Sequence, residues 1–178
     1  MVGITAYGAY IPKRRLNRMA ILQSMGWLAP GLITAAGGER SMCNWDEDAM
    51  TMAVAAARDC LTGMDKNAIN AAYLASTSMP FKDRQNSGIV AAALNLPEEG
   101  LVTADFTASL KSGTTALLTG IDAVRGEGKD NVLVTAADAR NTKSAWFFEL
   151  WYGDGAASLL LGKDNVIAEF KGAHSVSC

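Results

Sequence analysis

Apolar positions along the chain follow two rhythms, one of period two and one near 3.6, and the switches between them mark the elements. Val2 to Tyr10 alternates loosely and stops at Ile11-Pro12, which predicts a strand. Arg15 to Met25 is weakly amphipathic and predicts a helix, and Pro30-Gly31 and Gly37-Gly38 bracket a loop. Asp46 or Asn44 can cap the next helix, with Glu47 and Asp48 in a first turn that favours acid. That helix runs to about Leu61. Ala49, Met52, Ala53, Ala56, Ala57 and Cys60 share one face, and residues this small predict close packing against a sheet.

Ala71 to Ser76 reads as a strand, Thr77 to Asp83 as a loop broken by Pro80, and Arg84 to Leu94 as a small, apolar helix. A strand at Leu101 to Asp105 follows. Thr114 to Val124 is apolar on nearly every side, the pattern of a buried helix, and Gly126 to Lys129 ends it. Asn131 to Ala137 is a near-continuous apolar strand, suited to a sheet covered on both faces. Ser144 to Leu150 is a short aromatic loop or helix. Ala156 to Leu161 and Val166 to Phe170 read as an antiparallel hairpin appended at the sheet edge. Strands alternating with helices predict one layered α/β domain: a mixed, mostly parallel five-stranded sheet with a buried central helix.

Composition narrows the function classes. With 49% hydrophobic and 19% charged residues in 178, the chain can build a sizeable core and disorder is not expected. A net charge of −2 gives no electrostatic case for nucleic acid, and Lys13-Arg14-Arg15 is too short a cluster to change that. No apolar run reaches the roughly 18 residues of a membrane span, and Met1 leads straight into a strand rather than a secretory leader. Cys43, Cys60 and Cys178 are odd in number and scattered, without metal or disulfide spacing, so a cytoplasmic protein is expected. No glycine-rich phosphate loop occurs.

The chemistry centres on Asp105 to Leu117, a strand end, a short loop and the start of the central helix. A buried helix that follows a strand directly aims its free N–H groups at one spot, which favours an anion or thiolate.

Four blocks carry a family resemblance: GITAYGAYIPKRRL, ERSMCNWDEDAMTMAVAAARDCL, ADFTASLKSGTTAL and YGDGAASLLLG. With their spacing, they make the chain resemble the N-terminal half of a thiolase-superfamily protein. The resemblance is to the hydroxymethylglutaryl-CoA synthase branch, with ketoacyl-carrier-protein synthase III more distant. It implies acyl-CoA substrates, no covalently bound cofactor, and carbon–carbon bond formation or cleavage. Matching Lys111-Ser112-Gly113-Thr114 to the family's element at the helix start puts Leu110 at the nucleophilic cysteine. Leucine cannot carry a thioester. Thr77 falls where the general-base glutamate stands, and threonine has no basicity near neutral pH. A shift by one places Ser109 or Lys111 at the nucleophile position, and neither restores a thioester mechanism.

The family's second half, which carries a histidine and an asparagine of the site, has no counterpart here; His174 is the chain's only histidine. The chain is therefore read as a fragment or one subunit of a split protein. Its expected partners are the second half of the fold, a homodimer or hetero-oligomer mate, and a thiolase or a zinc-ribbon/OB-fold protein that delivers CoA. An enzyme assembly and a non-catalytic scaffold subunit both fit. Other residues keep two readings each. Asp154, between two glycines, shapes the site floor or a plain tight turn. Lys111 meets a CoA phosphate or solvent. Trp146, Phe147, Phe148, Trp151 and Tyr152 line an acyl tunnel or interface, or fill core. Cys60 reads as inert core, and Cys43 lacks a paired base.

Overall fold

The computed structural model describes residues 1–126, 128–144 and 146–176; Cys178 lies outside the described residues. The strands are β1 (Gly3–Tyr10), β2 (Arg14–Asn17), β3 (Glu39–Met42), β4 (Ala71–Ala75), β5 (Val102–Phe106), β6 (Val132–Asp138), β7 (Gly155–Gly162) and β8 (Ala168–Glu169). The helices are α1 (Arg18–Met25), α2 (Ala49–Cys60), α3 (Asn86–Ala93), α4 (Ser112–Arg125) and α5 (Phe147–Trp151).

The main sheet runs β5-β4-β6-β7-β1-β8, and β2 pairs with β3 in a separate ribbon. The expected mixed α/β sheet is present, but with six strands rather than five. Nor is it mostly parallel: β5, β4 and β6 are parallel, whereas β6–β7, β7–β1 and β1–β8 are antiparallel. The expected terminal hairpin is also absent. β7 lies inside the sheet between β6 and β1, and the two-residue β8 pairs with β1 instead of β7. The apolar run Leu159–Leu161 explains the interior place, because Leu160 packs on one face and Leu159 and Leu161 on the other.

Two corrections apply near the start of the chain. Arg14–Asn17 pairs with Glu39–Met42, so the first helix begins only at Arg18, where Asn17 accepts the N–H groups of Met19 and Ala20. Helix α2 is capped by Asp48, not by Asp46 or Asn44: its carboxylate accepts the Thr51 N–H at 2.8 Å, and the Thr51 hydroxyl accepts the Asp48 N–H at 2.8 Å.

Helices cover both faces of the sheet. On one side α2 and α3 pack through Ala53, Ala57, Cys60, Val90 and Leu94 onto Ala72, Leu74, Leu133 and Leu160. On the other, α4 packs through Ala116, Ile121 and Val124 onto Tyr73, Ala75, Val132, Val134 and Leu161. Two glycines permit the close approaches. A Cβ on Gly8 would lie 2.2 Å from the Cys60 nitrogen and 2.5 Å from the Ala56 oxygen; one on Gly120 would lie 2.7 Å from Leu161 Cδ1 and 2.9 Å from Val134 Cγ2.

The expectation of a helix buried all round is corrected as well. Within this chain α4 buries one face, while Thr114, Thr115, Thr119 and Asp122 are exposed and Leu118 is half-buried. The apolar run marks a helix that this chain covers on one side only.

Gly8→Ala should destabilise the protein by about 3 kcal/mol, the upper end of overpacking, because the obstructing atoms are backbone. Thermal and urea unfolding check this; Gly113→Ala, whose Cβ would meet only the Ala136 side chain at 3.7 Å, is the matched control.

Candidate functional site

The parallel strands β4 and β5 end together at Ala75 and Phe106, and β6, in register with Ala75 at Ala136, runs two residues further to Asp138. Crevices beyond the carboxyl ends of such strands are where α/β sheets bind ligands. Three segments meet at this edge: the loop after β4, the loop from β5 into α4, and the end of β6.

The β5–α4 loop turns sharply. Ala108 has φ of 66°, a left-handed conformation uncommon for alanine. The Ser109 hydroxyl accepts the Lys111 N–H at 3.1 Å, and the Ser112 hydroxyl donates to the Ser109 carbonyl at 2.5 Å. Helix α4 has no side-chain cap and no acid in its first turn, and the Gly113 and Thr114 N–H groups find no acceptor in the preceding loop. Leu110 stands at this helix start, 75% exposed. The Lys111 ammonium donates to the Ser175 hydroxyl of the tail. His174, beside it, is exposed.

A cavity of about 410 Å3 opens between the β4 and β5 loops, lined by Thr77, Met79, Phe81, Lys82, Arg84, Asn86, Asp105 and Thr107. Its fixed wall is Asp105, whose carboxylate accepts the N–H groups of Asn86 and Ser87 at 2.7 Å each and the Asn86 amide at 3.0 Å. It thereby satisfies the free amides at the start of α3. Burial pushes the Asp105 carboxyl up, but these hydrogen bonds outweigh it and hold the group below the ordinary 3.8.

A second cavity, of about 430 Å3, includes Cys43, Ser78, Ala139, Arg140 and Asp154 in its lining. Asp154 is a tether here: its carboxylate accepts the Cys43 N–H at 2.8 Å, its N–H donates to the Ser41 carbonyl at 3.3 Å, and its own carbonyl accepts the Ser41 hydroxyl at 2.6 Å. It joins the β7 start to the β2–β3 ribbon. Burial first, and then the Asp154 carboxylate, push the Cys43 thiol up to about 12, so it is no nucleophile near neutral pH. Cys60 is buried, which raises its thiol too.

Between the two cavities lies a polar clasp that the sequence reading did not single out. Asp138 Oδ1 accepts the Thr77 N–H at 2.7 Å, the Thr77 hydroxyl at 3.0 Å, the Ser76 hydroxyl at 3.0 Å and the Ser78 hydroxyl at 2.9 Å. The only advance signal was an acid closing an apolar strand beside a Ser-Thr-Ser loop. Their juxtaposition depends on strand register. The aromatic group around α5 is a surface cluster: Phe148 stacks on Tyr152 at 4.9 Å, Arg140 lies 4.1 Å over Tyr152, and of this helix only Leu150 is buried. No group of three or more His, Cys, Asp or Glu among the described residues could hold a metal, and no described helix is long and apolar enough to cross a membrane.

The fold is a thiolase-like layered α/β architecture. The structure superposes on the priming β-ketosynthase of the R1128 polyketide pathway with a TM-score of 0.78, at 22% identity, over 93% of this chain and 51% of that one. It superposes equally well on β-ketoacyl-[acyl carrier protein] synthase III from Thermus thermophilus, at 22% identity over 90% of this chain and 51% of that one. The sequence is similar to hydroxymethylglutaryl-CoA synthases. That of Thermococcus gammatolerans is 32% identical over 98% of this chain and 49% of its own length; that of Methanocella arvoryzae is 33% identical over 94% and 48%. The chain thus spans about half the length of the curated relatives it matches. No protein-family model matches it.

Two predictions follow from the side-chain environments. Cys43 should be alkylated by iodoacetamide at pH 8 about a thousandfold more slowly than free cysteine, because almost none of it is thiolate; peptide mapping separates it from the other cysteines. Asp105→Ala should cost about 1–2 kcal/mol at pH 7 by freeing the α3 amides. A lowered carboxyl contributes stability above its unfolded value and loses it as pH falls through the folded one, so urea unfolding should show the gap closing below pH 3.8.

Proposed function

We propose that this chain is one half of a thiolase-type acyl-CoA site, a hydroxymethylglutaryl-CoA synthase-like subunit or fragment. It acts in carbon–carbon bond formation or cleavage without an acyl carrier of its own. The observation that carries this reading is the uncapped start of α4 behind the left-handed Ala108, directly after the end of β5. Free N–H groups there can stabilise a thioester oxyanion or enolate. In the match described above, Leu110 stands at the nucleophile and Thr77 at the general base, so acyl groups are handled without covalent transfer. Lys82 and Arg84 give the cavity between the β4 and β5 loops a positive rim suited to the phosphates of CoA.

The second half of the fold belongs on the outer face of α4. That face is open in this chain, with Thr115 and Thr119 exposed beside a half-buried Leu118, and the relatives are about twice as long. The half comes from the rest of a longer chain, a homodimer mate or a separate subunit. A thiolase and a zinc-ribbon/OB-fold protein that delivers CoA are further candidate partners. The second reading, a non-catalytic scaffold subunit, draws on Leu110 itself: an exposed apolar side chain at the reacting position is also what a contact with an active partner needs.

Incubation of the natural assembly with acetyl-CoA tests the reading. Thioester turnover should occur with no acyl group on this chain by intact mass, whereas Leu110→Cys should acquire one and show a thiol more acidic than the ~8.5 of free cysteine. Absence of any acyl-CoA turnover would favour the scaffold. An acyl group that forms on wild-type Ser109 or Lys111 and turns over would overturn the non-covalent mechanism.

A further inference from the structure

Both arginines that line the second cavity hold donors that nothing in the chain receives. Arg40 lies in β3 and Arg140 two residues beyond the end of β6, and both are half-buried. Asp138 of β6 pairs with Gly155 of β7, so the residues after β6 and Asp154 meet at one end of the sheet, beside the ribbon that Asp154 tethers. A guanidinium is a rigid fork of N–H donors that keeps its proton. Arg40 uses one donor, Nη1 to the Tyr152 carbonyl at 3.0 Å, while its Nε is sealed from solvent with no acceptor. Arg140 makes no hydrogen bond with the described residues; its guanidinium lies 4.1 Å over the Tyr152 ring. Tyr152 thus holds both groups, one by its carbonyl and one by its ring. Phe148, stacked on Tyr152 at 4.9 Å, steadies that ring and gives part of the aromatic cluster a task.

Acids are close by, yet none neutralises either arginine. Glu47, Asp48 and Asp154 line the same cavity. Glu47 accepts the Tyr10 hydroxyl and, at 2.7 Å, the Asn44 N–H. Asp48 caps α2 through the Thr51 N–H, and Asp154 accepts the Cys43 N–H. Neither arginine forms an ion pair with these groups or with any other described residue; the ion pair among the described residues is Lys171 with Glu169. Each acid is held by its own segment, and two half-buried positive charges are left without a counter-ion. Charges withdrawn from water are costly unless paired. The cavity therefore has a defined vacancy for an anion.

We propose that this cavity binds a small organic carboxylate, its two oxygens received by the guanidinium groups of Arg40 and Arg140. The planar fork of a guanidinium matches the paired oxygens of a carboxylate. A single negative charge is what the lining admits, because Glu47, Asp48 and Asp154 would repel a phosphate dianion. The volume of about 430 Å3 is that of a small-molecule site. Asn141, also in the lining, has an amide without a hydrogen bond among the described residues and supplies a further donor. Tyr152 and Phe148 are positioning residues for the arginines. The inference does not rest on the acyl-CoA reading.

Arginine labelling with phenylglyoxal, followed by peptide mapping, tests this in the protein as isolated from its natural source. Sodium propionate at about 50 mM should slow labelling of Arg140 about fivefold, the protection given by a Kd near 10 mM. Arg58, exposed on α2, should label at an unchanged rate. Sodium chloride at the same ionic strength should protect neither residue, and inorganic phosphate should protect Arg140 less than propionate does. Saturation-transfer NMR with propionate should give a signal on the wild type that Arg140→Gln loses. Arg140 labelling that propionate leaves unchanged, or that chloride slows equally, overturns the site. Stronger protection by phosphate overturns the carboxylate assignment. A wild-type transfer signal in folded Arg140→Gln shows that propionate sits elsewhere and overturns the proposal as well.

Discussion

Helix α4 can lie on the sheet only because Gly120 and Ala116 leave room for Val134 and Leu161. That contact fixes the height and direction of the helix, and so determines where its first turn arrives. The β5–α4 connection must then span the remaining distance in five residues, Thr107 to Lys111. It does so through the left-handed Ala108. Any side chain at Gly120 would lift the helix and carry its uncapped amides away from the strand ends, so a packing constraint one face of a helix wide sets the geometry of the site.

Strand register is the second determinant. The aligned ends of β4, β5 and β6 bring Thr77, Thr107 and Asp138 to one edge, and α3 is anchored there as well by Asp105. Much of the edge is polar and hydrogen-bonded, on a sheet whose two faces are largely apolar. Buried or half-buried polar clusters of this kind are costly unless fully paired. The clasp pairs Oδ1 of Asp138 four times and leaves Oδ2, which is not sealed in the core, without a partner among the described residues.

The strands and helices that form the layers were legible because their apolar periodicity is strong: β1, α2, β4, α3, β5, α4, β6 and β7 all lie within about three residues of the pattern that predicts them. The β2–β3 ribbon was not, since Arg14–Asn17 and Glu39–Met42 carry little apolar signal and the arginine-rich stretch looks like the start of a helix. Pairing was not legible either. An apolar run such as Leu159–Leu161 declares an interior strand but not its neighbours, so β7 read as half of a hairpin when it bridges β6 and β1. Candidate residues divide in the same way. Leu110, Ser109 and Lys111 could be placed at a helix start from a local pattern, whereas the union of Asp138 with Ser76, Thr77 and Ser78 spans some sixty residues and exists only in the register.

The central claim is that the open face of α4 is the seat of a second half-fold. A photo-crosslinking residue at Thr115 or at Leu118, on that face and away from the sheet, tests it in the protein as isolated from its natural source. The account predicts one dominant crosslink from each position, to a helical segment that lies outside residues 1–178 or in another copy of this chain. Crosslinks only to solvent, from an assembly that still turns over acyl-CoA, would show that the helix stays open and that the half-fold account is wrong.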